Sequence, residues 1–156
     1  METRATVRSK GQTSYAVYKK LCKLTIAGGV AFWAITIATS LLPIAAEFRA
    51  AFSISYTQVV LVESLLGGLI IGFGVSFFLL RFFDKIPTKN PILKSVILSF
   101  IALIIVTILI EVPSSFLTTS DVLHVFLIGA MFNVLRILAL GIVIGYLYDR
   151  LNERAH

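Results

Sequence analysis

A chain of 156 residues that is 58% hydrophobic, with a mean hydropathy of +0.94, stands well above the ~45–50% apolar content of soluble domains. That composition places it in the membrane class and leaves no length for a separate soluble domain beside the spans. The formal net charge is +6, but the basic residues cluster beside apolar runs, which argues against a nucleic-acid surface and for membrane orientation and contact with anionic lipid headgroups.

Residues 1–23 hold Arg4, Arg8, Lys10, Lys19, Lys20 and Lys23 against a single acid, Glu2. They read as a basic cytoplasmic tail, solvated over residues 1–14 and able to lie on headgroups from Tyr15 onward. Cys22 is the only cysteine, so no intrachain disulfide forms. Its place between Lys20 and Lys23 at the membrane edge is one where acylation occurs, although an unmodified thiol is the preferred reading.

The first apolar run, residues 24–46, exceeds the 7–15 residues of a secretory signal core and reads as a retained span. Ala27, Ala31, Ala34, Ala38 and Ala45 share one face of it, a small-residue strip suited to close helix contact. Pro43 is expected to kink or end this helix. Residues 47–57 read as a short connection, with Ser55 and Gln58 resembling a capping box for the second span, 56–83.

Span two carries Ser64, Gly68, Gly72 and Ser76 as an unbroken small-xxx-small row, which permits close backbone approach where lipid offers no hydrophobic drive. A neighbouring face holds Glu63, Gly67 and Gly74, with Arg81 further on. The loop 84–90 is tight and basic, and Asn90–Pro91 is a helix start: a cap residue, then proline where its missing N–H costs nothing. Span three, 91–110, is expected to close at Glu111 and Pro113.

The fourth span, 121–148, opens on Ser120–Asp121 and contains the one basic residue deep within an apolar run. The segment from Asp121 to Asp149 would measure about 42 Å as a helix, against a hydrocarbon core of ~30 Å, so Arg136 falls near the bilayer midplane. Residues 150–156 form a short cytoplasmic tail.

The expected fold is therefore an all-α membrane protein with four transmembrane helices in a single domain, residues 24–149. Orientation follows from the positive charges. Six Lys/Arg precede span one, four flank the second loop and two follow span four, whereas Arg49 alone represents the first and third loops. The positive-inside rule then puts both termini in the cytoplasm and the protein in the cytoplasmic membrane. Spans two and four both end aromatic–Asp–basic, as Phe83-Asp84-Lys85 and Tyr148-Asp149-Arg150, 65 residues apart. Spans one and three do not align at that offset, so coincidence is preferred over duplication.

Three constellations could carry chemistry. The first is Arg136 with Asn133, one turn away, and Glu63, displaced outward by about 10 Å in depth. It reads either as a buried polar latch fixing helix register or as part of an ion, proton or anion path. The second is an outer-face group of Asp121, His124 and Glu111, whose i, i+3 Asp/His spacing could share a metal; a cap Asp and an interfacial His explain the same residues without one. The third is packing: Gly68/Gly72 and Gly141/Gly145 are GxxxG pairs. Gly141 and Gly145 lie opposite Arg136, so span four needs neighbours on two sides, and a second copy or another membrane subunit is expected there.

No metalloprotease, hydrolase, phosphate-loop or haem signature occurs, and no cofactor is expected. The functional expectation is a non-catalytic accessory or assembly subunit. The alternative is a small ion, proton or anionic-solute transporter or channel subunit using Arg136 and Glu63.

Overall fold

The structure is a computed structural model that describes residues 2–51, 57–115 and 121–153, the side chains of residues 2–14 and of several residues at helix ends excepted. Every regular element among these residues is helical: α1 (Glu2–Ser40), α2 (Pro43–Ala51), α3 (Thr57–Phe82), α4 (Pro91–Val106), α5 (Val112–Ser115) and α6 (Val122–Glu153). Four helices are long and apolar enough to cross a membrane: Tyr15–Ser40, Gln58–Lys85, Pro91–Ile110 and Leu123–Glu153. In lipid a helix satisfies its own backbone hydrogen bonds, so a long apolar run with few breakers adopts it wherever it lies.

Punctuation follows local chemistry. The chain leaves α1 at Ser40 and restarts with Pro43 at the head of α2, where a ring without an N–H is tolerated. Asn90 caps α4, its Oδ1 accepting from the amides of Ile92 at 2.9 Å and Leu93 at 3.4 Å, with Pro91 in the first turn. Asp121 caps α6 in the same way, accepting from Leu123 N–H at 3.1 Å and His124 N–H at 3.5 Å.

Three elements depart from the sequence reading. Helix α1 extends through residues 2–14, which were expected to be a solvated tail; no proline interrupts the segment. The first span, expected to run to residue 46, ends at Ser40; α2 takes in its last residues and the start of the connection, and Ala45 of α2 is buried with Ile128 and Phe132 of α6. The third span does not stop at Glu111 and Pro113. It widens into a π turn over Thr107–Glu111, with the Val112 amide donating to Thr107 O, and continues as α5. Pro113 would clash with the carbonyl four residues back in a regular helix, and a π turn just before it is the local adjustment that keeps the chain helical. Ser55 and Ser120 lie outside the described residues.

The helices pair as two hairpins, α1 with α3 and α4 with α6, joined mainly through α1 and α6. The core is centred on Leu24, Phe32, Val75, Leu79, Leu103, Ile137, Leu140 and Ile144. Gly68 and Gly72 form the α1–α3 seam: a Cβ on Gly72 would sit 3.1 Å from the Thr25 carbonyl oxygen. Gly141 and Gly145 form the α4–α6 seam, where a Cβ on Gly145 would meet Ile92 Cα at 2.5 Å. Only glycine allows backbones this close.

The structure is thus all-helical among the described residues, with the make-up of a multi-pass membrane protein.

Candidate functional site

Helix α6 carries the polar group deepest in the apolar zone. Arg136 is half-buried and its Nη1 donates to Asn133 Oδ1 at 3.2 Å, one helical turn toward the start of α6. The guanidinium also lies near two rings, 5.9 Å from the Phe32 centroid on α1 and 5.8 Å from that of Phe132 on its own helix. A guanidinium is suited to such a seat, because its faces stack on aromatic rings while its edge donates hydrogen bonds. Phe32 thus has two tasks, since Gly68 of α3 packs against the same ring.

Glu63 is not part of this group. It is exposed on α3, and among the described residues nothing joins it to Asn133 or Arg136. Of the three residues expected together, Asn133 and Arg136 meet through this hydrogen bond, and among the described residues Glu63 does not join them. The reason is rotational. The row of Gly68, Gly72 and the fully buried Ser76 faces inward, and Glu63 stands about 140° round the helix from Gly68. Ser64 spends its hydroxyl on the Leu61 carbonyl at 2.9 Å. Glu63 therefore faces out with Gly67 and Gly74, where an added Cβ at either glycine would meet nothing within 4 Å.

Gly141 and Gly145, where a second copy or another subunit was expected, are packed within this chain. Their face receives α4, and the other side of α6 receives α1, with Ile144 against Gly28. At the other end of α6, Asp121 serves as the helix cap, and His124 is exposed one turn on. The Glu111 side chain lies outside the described residues, and among those described no three potential metal ligands converge.

A second cluster has no counterpart in the sequence reading. Phe83 and Tyr148 stack with centroids 4.8 Å apart and planes 21° from parallel. Lys94 Nζ lies 3.6 Å from the Phe83 centroid and donates to the Phe83 carbonyl; Lys20 Nζ lies 4.5 Å from the Tyr148 centroid and donates to Asn152 Oδ1. The order Lys94–Phe83–Tyr148–Lys20 ties α4, the 3₁₀ turn Phe83–Lys85, α6 and α1 together at one end of the bundle. Lys94 is only 4% exposed. The one trace of this cluster in the sequence is the shared aromatic–Asp–basic ending, whose two aromatics are the stacked pair.

Both groups set a cation beside aromatic rings and a hydrogen-bond acceptor, a chemistry that positions charge. Comparison of the chain with protein-family models, with curated proteins and with solved structures gives no match in any of the three.

Proposed function

We propose that this chain is a non-catalytic accessory or assembly subunit of the cytoplasmic membrane, with both termini and the 84–90 loop on the cytoplasmic side. The observation that carries the reading is the open face of α3. Glu63, Gly67 and Gly74 lie along one side of a helix in the apolar zone, and the described part of the chain leaves the space at both glycines empty. A glycine groove beside an intramembrane acid suits a transmembrane helix of a partner, which would take close backbone contact from the glycines and place a donor opposite the carboxylate.

The basic end of the bundle supports the orientation. Lys20, the Phe83–Lys85 turn and the end of α6 meet there, and the surplus of Lys and Arg in the chain belongs to these segments. A transport path through Arg136 and Glu63 would require the two to share one cavity, and the outward placement of Glu63 offers it no support.

Crosslinking in native membranes, followed by purification and identification of what accompanies the chain, tests the proposal. A stoichiometric membrane partner crosslinked through position 63 or 67 is the expected result. Recovery of the chain alone, with ion or solute flux in vesicles that depends on Arg136, would replace it with the transport reading.

A further inference from the structure

A groove of ≈ 610 Å³ runs along the outside of the α1–α6 seam, lined by Ile26, Ala27, Val30, Ala31 and Ala34 of α1 and by Val143 and Leu147 of α6, with Lys23 at one end. The alanines are the strip that marked α1 as a helix-contact face, but no helix among the described residues covers them there. From Lys23 to Ala34 is 11 residues, or about 16 Å of helix. Half of a ~30 Å hydrocarbon core is about 15 Å, so the groove begins at the headgroup level and stops near the bilayer middle.

We infer that this groove seats one acyl chain of an anionic phospholipid, whose phosphate meets the Lys23 ammonium. Three features select that occupant. The lining is apolar throughout apart from Lys23, as a hydrocarbon tail requires. Its single charge is a cation, and it stands at the end where a phosphate would lie; Lys19, exposed one turn earlier on the same face, extends the positive rim. The groove is one leaflet deep, whereas a transmembrane helix from a second copy needs a seat across both leaflets. The lysine stem lies against the apolar wall while its head reaches the interface, as long basic side chains do at membrane boundaries. The inference rests on the membrane placement of the helices and is independent of the accessory role.

The test uses the full chain reconstituted in vesicles of equimolar phosphatidylglycerol and phosphatidylcholine, released into mild detergent and weighed by native mass spectrometry. Wild type is expected to retain phosphatidylglycerol in preference to phosphatidylcholine. Lys23→Gln lowers that preference about five-fold, the Boltzmann factor of one basic residue at an anionic surface. Lys23→Arg keeps it, and Ala31→Phe, which fills the groove, lowers retention of both lipids. Equal retention by wild type, Lys23→Gln and Ala31→Phe overturns the inference. So does a dimer mass abolished by Ala31→Phe, which would give the groove to a second copy. If Ala31→Phe fails to fold, the Lys23→Gln and Lys23→Arg pair decides, because position 23 is exposed. Protein that does not enter vesicles at all overturns the membrane placement as well and is recognised by flotation.

Discussion

At the scale of single residues, the chain shows two ways to keep a cation in an apolar setting. Lys94 is almost fully buried against the Phe83 ring and donates to the Phe83 carbonyl. Removing it strips that part-buried acceptor of its donor and takes the cation from the Phe83 ring. Lys94→Ala should therefore cost about 2 kcal/mol, read as a lower denaturant midpoint in detergent-based unfolding. Arg136 has Asn133 and the Phe32 and Phe132 rings among its neighbours. A double-mutant cycle with Arg136→Leu and Asn133→Leu should yield a coupling of about 0.6–1.7 kcal/mol, from the average to the largest value for polar contacts inside membranes. Zero coupling in unfolding measurements would remove the pair as a structural latch. Neither aromatic seat was legible in the sequence. Lys20, Phe83, Lys94 and Tyr148 are far apart in the chain, and each alone reads as an ordinary interfacial residue.

At the scale of elements, two kinds of glycine separate. Gly145 lies against the backbone of α4, with Ile92 Cα 2.5 Å from where a Cβ would stand. Backbone cannot rotate aside, so Gly145→Leu should push α4 from α6 and cost about 3 kcal/mol in the same unfolding measurement. A Cβ on Gly67 or Gly74 would meet nothing within 4 Å among the described residues. Their replacement by alanine should be neutral or stabilise the isolated protein by about 0.5–1 kcal/mol, as expected when a helix interior loses a glycine. The sequence marked Gly68, Gly72, Gly141 and Gly145 as packing positions but left open which helix each would meet. It also read Pro113 as a stop, because a proline signal is read against a regular helix; the π turn before it is a local escape that spacing does not announce.

At the scale of the whole molecule, the open α3 face and the basic end make separate predictions. Gly67→Leu should abolish copurification of the membrane partner without lowering the stability of the isolated chain. A loss of both would mean the face is filled from within. In a Cys22→Ser background, cysteines at Lys89 and Arg150 should react with a membrane-impermeant maleimide only after cells are opened. A cysteine at the exposed Ala50 should react in intact cells. The reverse pattern would invert the proposed orientation.

What the sequence by itself determined is the number of long apolar helices and most of their ends. Helical hydrogen bonds close within a few residues, so hydropathy, Asn90–Pro91, Asp121 and Pro43 carry that information locally. Which faces meet is another matter. In lipid, an apolar side chain gains little by turning from tails to another helix, so pattern does not reveal facing, and shape complementarity between distant segments decides it. Only the tertiary structure could seat Gly68 and Gly72 on α1 and Gly141 and Gly145 on α4. It alone turned Glu63 outward from Arg136 and left an acyl-length groove beside Lys23.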